Sequence, residues 1–260
     1  MEVLPRALSN LLDASSSKKV PPTSMMEPIG YLESCFKDKF GTPRQPGLVK
    51  NAWARLKIRA DLQPEESLQG LEGFSHVWLV WVFHQNKTAR FHAKVKPPRL
   101  GGESMGVFAT RSPHRPNPIG LSLVELISVD KDGITVAGAD LVDGTPILDI
   151  KPYLPHIESI PEAKMGWPAE VSTEKIEVRF SEGAQKILHE WQQRTPSHNL
   201  KNIIEETLRL DPRPIVYRGY ENEESPYRNQ HAVRLFDGDI HFKFENANAI
   251  VVLNILFSHN

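Results

Sequence analysis

Residues 121–141, LSLVELISVDKDGITVAGADL, carry two apolar runs joined by a short polar turn. The runs at 121–129 and 134–141 predict strands, and Lys131-Asp132-Gly133 between them predicts a hairpin turn. A doubly wound α/β sheet needs a helix between successive strands, and this stretch has no room for one. The hairpin therefore favours an antiparallel sheet.

Strand patterns also cover residues 49–58, 76–83, 105–110 and 175–180. Many short strands with turn residues at modest spacing are typical of a closed or nearly closed antiparallel barrel. We therefore predict a mainly β protein in which residues 28–181 form the barrel domain, after a disordered or extended lead-in at 1–27.

The pattern changes near Ser181, which is a suitable N-cap for a helix with Ala184, Leu188 and Trp191 on one face. A second apolar helical pattern runs over residues 200–208 and stops at Asp211-Pro212. Alternating residues at 233–235 and 240–244, joined by a turn, predict two strands. Residues 182–260 are thus expected to form a small α+β domain.

A proline-rich loop precedes the hairpin, where residues 106–122 read GVFATRSPHRPNPIGLS. Proline fixes φ and lacks an N–H donor, so three prolines within six residues exclude a central strand and predict a stiff loop. The loop holds Arg111, His114, Arg115 and Asn117 at a strand end. A rigid loop of this composition loses little entropy on binding a ligand, although an ordinary solvated turn is the alternative.

A second dense stretch, DGTPILDIKPYLP, covers residues 143–155. Asp143-Gly144 signals a turn, and Asp149 lies among apolar residues at strand spacing. This predicts a carboxylate at the rim of a core, where burial raises the pKa of Asp149 unless a cation such as Lys151 or Arg111 pairs with it. An Asp that only ends a strand is the alternative.

Composition narrows the classes of function. Net charge is −1, so a nucleic-acid partner must be held by a local basic patch. The single cysteine, Cys35, excludes an internal disulfide and fits a reducing compartment. No apolar run reaches the roughly 20 residues that span a bilayer, and residues 1–24 resemble no signal peptide. We expect a cytoplasmic protein without a membrane partner.

Common nucleotide and metal signatures are absent from the sequence. There is no P-loop, and no Gly-x-Gly-x-x-Gly that follows a strand and opens a helix. His76, His84 and His92 are eight residues apart, which would separate them by about 25 Å or more along extended strands at roughly 3.3 Å per residue. We expect no metal site, and a metal-dependent hydrolase is a weak alternative.

Several peptides, in one order, resemble the TrmO-type (TsaA-like or YaeB-like) tRNA methyltransferase family. The matching segments are PRQPGLV at 43–49, GLEGFSHVW at 70–78, VFHQ at 82–85, PPRLGG at 97–102, the loop at 106–122, the stretch at 143–155 and DPRP at 211–214. The resemblance covers about residues 29–244. It implies a barrel-type, non-Rossmann fold that binds S-adenosylmethionine, and a homodimer that methylates N6 of threonylcarbamoyladenosine 37 in the tRNA anticodon loop.

The resemblance also implies which residues contact the cofactor. They are Gln45, Pro46, Gly47, Leu48, His84, Gln85, Arg111, Leu121, Asp143, Gly144, Thr145, Pro146 and Ile147. Arg111 suits the methionine carboxylate, and Asp143 can accept from an amine or a ribose hydroxyl. The assignment of partners within this set is open.

The target nitrogen must lose a proton, and Asp149 or Asp143 could accept it. Arg115 and Tyr153 are candidates for orienting the modified base. Basic residues that could contact phosphate are Lys94, Lys96, Arg99 and Arg213, although each alone could be a solvated surface charge. A noncatalytic RNA-binding barrel that has lost turnover remains the main alternative function.

Overall fold

The computed structural model describes residues 26–86, 91–97, 102–167, 176–213 and 229–257. Six strands form a closed barrel in the order β1-β2-β7-β6-β3-β8, with every neighbouring pair antiparallel. Their bounds are β1 Gly30–Glu33, β2 Trp53–Ile58, β3 His76–Val82, β6 Ile119–Asp130, β7 Gly133–Ala137 and β8 Thr145–Pro152. The predicted antiparallel barrel and the hairpin turn at 131–133 are confirmed.

Alternating side chains fill the barrel. Along β3, Val77, Leu79 and Trp81 are buried while the residues between them face outward. They pack with inward residues of other strands such as Leu32 and Ile134 in one apolar cluster. Burial of each such side chain is worth about 1.5–3 kcal/mol, so this interior is the main source of the barrel's stability.

Two short strands, β4 Lys94–Val95 and β5 Met105–Gly106, form a separate hairpin. The predicted strand at 105–110 is wrong beyond Gly106, because the chain turns there into a 3₁₀ helix at Val107–Ala109. The remaining short helices of the described barrel region are 3₁₀ turns at Ala60–Leu62 and Leu71–Gly73, α1 Pro64–Ser67 and α2 Pro155–Glu158.

The C-terminal part is a four-stranded sheet, in the order β10-β11-β12-β9, covered by two helices. The bounds are β9 Glu177–Phe180, α3 Glu182–Arg194, α4 Leu200–Arg209, β10 Gln230–Leu235, β11 Gly238–Asn246 and β12 Ala249–Phe257. Ser181 caps α3 by accepting a hydrogen bond from the Ala184 N–H, as predicted. The sequence boundary at 181 leaves β9 with the barrel, whereas β9 pairs in parallel with β12.

Residues 35–52 join the two parts. Phe36 bridges to Leu235, and the Phe236 N–H donates to the Cys35 carbonyl at 2.8 Å. Phe36, Val49 and Ala52 share an apolar cluster with the C-terminal helices and sheet. The segment between β1 and β2 is therefore anchored on the C-terminal core. Within the described ranges, no helix is long and apolar enough to cross a membrane.

Candidate functional site at one end of the barrel

Six strand ends meet at one end of the barrel. β1, β3 and β7 finish there and β2, β6 and β8 begin there, so the connecting segments 34–52, 83–86, 107–118 and 138–144 all lie at that end. We call this end the mouth. The segments predicted to hold the cofactor reach it from separate parts of the chain, although Thr145 and Ile147 themselves are buried in the barrel wall.

The Gln45–Leu48 segment is fixed by backbone bonds to the β7 end. The Gly47 N–H donates to the Gly138 carbonyl at 2.8 Å, and the Gly138 N–H donates to the Ala52 carbonyl at 3.0 Å. Gly47 has a φ of 76°, which favours glycine, and nothing lies within 4 Å of the position that its Cβ would take. The backbone is therefore open to close approach by a ligand, beside the exposed Leu48.

Arg111 connects the proline-rich loop to this segment, because its Nη1 donates to Gln45 Oε1 at 2.6 Å. The loop is braced from within, since Arg115 Nη1 donates to the Thr110 carbonyl at 2.8 Å. Arg115 also lies 5.6 Å from the centre of the Phe108 ring. Arg111 thus faces the predicted cofactor segment, whereas Arg115 supports the loop's shape.

His84 and Gln85 follow β3 at the mouth. His84 is exposed, and the Gln85 carbonyl accepts a hydrogen bond from Lys39 Nζ at 2.8 Å. Asn86 Nδ2 donates to the Pro113 carbonyl at 3.1 Å, which connects this turn to the proline-rich loop. The His84-Gln85 turn is consequently held between two other mouth segments.

Asp143 fastens the β1 end to the β8 end. Its carboxylate accepts from the Ser34 N–H at 2.8 Å and pairs with Lys37 Nζ at 2.9 Å. Gly144 follows with a φ of 74° and open space around its Cβ position. Asp143 is therefore already bound to the protein, with its side chain 35% exposed at the rim.

A buried polar chain lies beneath the rim and was not predicted from the sequence. Trp81 Nε1 donates to Ser122 Oγ at 3.0 Å, and Ser122 Oγ donates to Asp140 Oδ1 at 2.6 Å. The Trp81 indole lies flat on Gly120, where a Cβ would come within 2.2 Å of the ring. Burial raises the pKa of the Asp140 carboxyl, and the Ser122 hydrogen bond and the nearby Arg111 charge only partly oppose this.

Asp149 and Tyr153 lie away from the mouth. Asp149 pairs in register with the outward Val80, is 47% exposed and forms an ion pair with Lys151 at 2.8 Å. The pairing of Asp149 with Lys151, one of the two cations that the sequence offered, is confirmed, and the carboxylate faces outward from the barrel. Tyr153 packs edge-on against His76, with its N–H on the His76 carbonyl, at the opposite end of β3.

The predicted phosphate contacts differ in exposure. Lys94 and Lys96 are exposed on the β4–β5 hairpin, which joins the mouth through the Val107 N–H donating to the Ala93 carbonyl at 3.0 Å. Arg99 lies outside the described residues. Arg213 is only 3% exposed, paired with Asp211 and 3.3 Å from the centre of the Phe244 ring. The prediction that Arg213 binds RNA conflicts with this placement, since its guanidinium is enclosed by protein.

The described residues contain no group of three or more His, Cys, Asp or Glu side chains that could hold a metal ion. His92 and His114 pack edge-on with ring centres 5.2 Å apart. This pair supplies a contact between the hairpin and the proline-rich loop.

Comparisons with known proteins cover both parts of the chain. Residues 31–159 match the model of the tRNA-methyltransferase O N-terminal domain, and residues 173–257 match the TrmO C-terminal domain. An Escherichia coli K12 protein named tRNA (adenine(37)-N6)-methyltransferase is 43% identical over 226 residues, 85% of this chain and 93% of the relative. A Pseudomonas aeruginosa protein whose name places it among S-adenosylmethionine-dependent methyltransferases is 42% identical, over 90% of this chain and 98% of the relative.

A solved structure extends the likeness to three dimensions. The crystal structure of TrmO from Pseudomonas aeruginosa superposes with a TM-score of 0.73 at 37% identity, covering 90% of this chain and 100% of that one. The likeness therefore includes the barrel and the C-terminal sheet together.

Proposed function

The chain belongs to the TrmO family, and from this premise we propose that it transfers a methyl group from S-adenosylmethionine to N6 of adenosine 37 in tRNA. The observation that carries the proposal is the convergence of the Gln45–Leu48 segment, Arg111 and two carboxylates at one barrel end. The two carboxylates share the segment after β7, whereas the Gln45–Leu48 segment and Arg111 come from distant parts of the sequence. A site assembled in this way needs the whole barrel to be folded.

The mouth has the chemistry that S-adenosylmethionine requires. The guanidinium of Arg111 suits the cofactor's carboxylate, and the rim carboxylate of Asp143 suits its ammonium or ribose hydroxyls. Gly47 and Gly144 leave open backbone, while Leu48 offers apolar surface for adenine. We assign the cofactor to this end on these grounds, with His84 and Gln85 forming the adjacent wall.

Asp140 is the best-placed proton acceptor of the three carboxylates. Asp149 faces outward beside Lys151, and Asp143 is occupied by Lys37 and a backbone N–H. Asp140 lies at the mouth and is held by Ser122, and its raised pKa makes it a stronger base than an ordinary carboxylate. We therefore propose Asp140, and no longer Asp149, as the proton acceptor.

Asp140 then acts by position as well as by basicity. When bound, S-adenosylmethionine supplies an activated methyl group, so the N6–CH₃ bond forms as the sulfonium S–CH₃ bond breaks and the N6 proton passes to the Asp140 carboxylate. The Trp81–Ser122 chain holds that carboxylate in one orientation. Such fixed geometry lowers the entropic part of the barrier.

The acceptor that we propose is threonylcarbamoyladenosine, whose urea-like nitrogen needs a base. The exposed Lys94 and Lys96 of the β4–β5 hairpin are suited to phosphates of the anticodon loop beside the mouth. Tyr153, a candidate from the sequence for orienting the modified nucleobase, packs at the opposite end of β3 and is too far from the mouth for that role.

We further propose a homodimer in the cytoplasm. Leu121, which the resemblance makes a cofactor contact, is 53% exposed on the outer face of β6 near the mouth, and the exposed Ile119 lies on the same face. An apolar wall of this kind commonly marks a protein–protein contact. A reduced, buried Cys35, whose thiol pKa burial raises to about 12, suits a reducing compartment. Sedimentation velocity measures the oligomeric state.

Methylation of defined tRNA tests the proposed activity. The purified protein, S-adenosylmethionine and tRNA carrying threonylcarbamoyladenosine should give nucleosides with one added methyl group by mass spectrometry. The same tRNA with unmodified adenosine 37 is the substrate control. Tight tRNA binding without any methylated product would instead support the noncatalytic RNA-binding alternative.

A further inference from the structure

A cleft of about 520 Å³ lies between the start of β2 and the loop that joins α3 to α4. Its lining includes Asn51, Trp53, Ser197, His198 and Asn199. None of its lining side chains is an acid, a lysine or an arginine. The volume lies within the range of known small-ligand pockets.

Trp53 is the unusual member of this lining. It begins β2 on the outward face and is 40% exposed, although tryptophan is highly buried on average. The His198 ring lies beside the indole, with ring centres 6.3 Å apart and an angle of 75° between the ring planes. The exposed part of the side chain lines the cleft, where it can receive a flat ligand.

The walls of the cleft are neutral and partly unsatisfied. Burial lowers the pKa of His198, which keeps its imidazole uncharged near neutral pH. His198 Nδ1 is buried with no hydrogen-bond partner among the described residues. Asn199 Oδ1 caps α4, and Asn51 is held by Glu206 at 2.6 Å, which makes the polar rim rigid.

The cleft adjoins the mouth through the backbone. The Ala52 carbonyl, directly before Trp53, accepts from Gly138, and the Gly138 carbonyl accepts from Gly47 of the predicted cofactor segment. Trp53, which pairs with Ala137 at the start of β2, therefore lies at the same end of the barrel as the predicted cofactor segment. Lys50 is exposed beside the cleft and can meet a phosphate.

We propose that this cleft binds an unstacked nucleobase of the tRNA anticodon loop next to the target adenosine, with Trp53 as the stacking surface. A neutral, flat base matches an uncharged wall that carries an exposed indole. The inference rests on the proposed tRNA substrate. RNA loops are commonly read by splaying their bases onto aromatic side chains.

Binding of an anticodon stem-loop to Trp53 variants tests this proposal. Trp53→Ala should weaken stem-loop affinity about 5- to 150-fold, the range for one lost base stack, without changing the affinity for S-adenosylmethionine. Trp53→Phe should recover most of the loss. Tyr31→Ala removes another exposed aromatic from the outer wall as a matched control and should bind like wild type.

A fluorescent base separates this inference from the proposed reaction. A 2-aminopurine beside the target position should be quenched by wild type and much less by Trp53→Ala, whether or not methylation is measured. Wild-type affinity and quenching in a folded Trp53→Ala would overturn the proposal. The proposal would also be overturned if Trp53→Ala changed the oligomeric state and bound RNA normally, because the cleft would then hold a second copy of the chain. If the wild-type protein binds the stem-loop and quenches the 2-aminopurine but gives no methylated product, the proposed reaction is refuted and this inference is not.

Discussion

The two ends of the barrel use their charges differently. At the end opposite the mouth, Arg55 binds both Asp130 and Asp132, and Arg59 binds Asp61. At the mouth, Asp143 is paired with Lys37, but Arg111 contacts the neutral Gln45, and the described side-chain contact of Asp140 is the Ser122 hydroxyl. The ion pairs of Arg55 stabilise the fold, whereas Arg111 and Asp140, which are not paired with an opposite charge in the described contacts, are suited to a ligand.

The pKa shifts at the two ends have opposite signs. Hydrogen bonds from Arg55 hold the pKa of Asp130 far below its usual range. Burial raises the pKa of Asp140 instead. Groups whose pKa is shifted by burial are common at functional sites. The comparison makes Asp140 and Asp130 a matched pair for experiment.

The largest effect should come from Asp140→Asn. The amide keeps an acceptor for Ser122 but cannot take the proton, so the single-turnover methylation rate should fall by about 10²–10⁴. S-adenosylmethionine affinity should change little. Rapid-quench measurement at saturating tRNA reports the rate.

Asp130→Asn is the control for this change. It removes a carboxylate from the opposite end and should leave the single-turnover rate at the wild-type value, while lowering thermal stability. A normal rate in Asp140→Asn would show that another group accepts the proton.

Arg111→Ala should have the next largest effect. Loss of a charge-assisted hydrogen bond costs about 1.5–3 kcal/mol, so the dissociation constant for S-adenosylmethionine should rise roughly 10- to 150-fold by calorimetry. Arg55→Ala should retain the affinity because its partners lie at the other end. Equal affinities in the two variants would remove Arg111 from the pocket.

The two ends should also respond differently to pH. Because the folded pKa of Asp140 is raised, folding takes up a proton there, and this contribution to stability is present below the unfolded pKa, near 3.8, and lost as pH rises through the folded value. This one group should change the free energy of unfolding by less than about 1.4 kcal/mol per pH unit. In urea unfolding, the stability of wild type minus that of Asp140→Asn should be constant at low pH and should fall as the pH rises through the folded pKa of Asp140.

Asp130 should give the reverse dependence. The stabilisation from its pair with Arg55 is present above the unfolded pKa of Asp130 and is lost as the pH falls through the lowered folded pKa.

For Asp140, a stability difference between wild type and Asp140→Asn that does not vary with pH would contradict the burial of its carboxyl.

The smallest effect should follow replacement of Lys94 and Lys96 by alanine. Each lost phosphate contact should reduce the slope of log affinity against log salt by about 0.7 for a single-stranded loop. The variant should therefore bind tRNA a few-fold less tightly at low salt. An unchanged slope would move the phosphate contacts to another surface.

The sequence predicted local features well. The hairpin at 131–133, the Ser181 cap and the absence of a strand in the proline-rich loop follow from turn, cap and proline chemistry, which act within a few residues. The resemblance supplied the predicted cofactor segments, and the fold brings their mouth segments to one end. Asp140, which we propose as the proton acceptor, was not predicted because its hydrogen-bond chain runs through Ser122 on β6 to Trp81 on β3, far away in sequence.

Two other misses have equally specific causes. A bulge in β8 shifts the pairing between Val80 and Trp81, so Ile147 and Asp149, two residues apart, do not share a face. Asp149 consequently faces outward. Arg213 is enclosed because it stacks on Phe244, a contact across the C-terminal part that residue spacing does not reveal.

Amide hydrogen exchange with and without S-adenosylhomocysteine, the demethylated product, compares the two ends directly. If the mouth is the cofactor site, saturating ligand should slow exchange in residues 45–48, 84–86 and 138–144. Exchange at residues 59–63 and 130–133 should remain as in the free protein. Protection confined to those two opposite-end segments, or saturation with unchanged exchange at the mouth, would contradict the assignment.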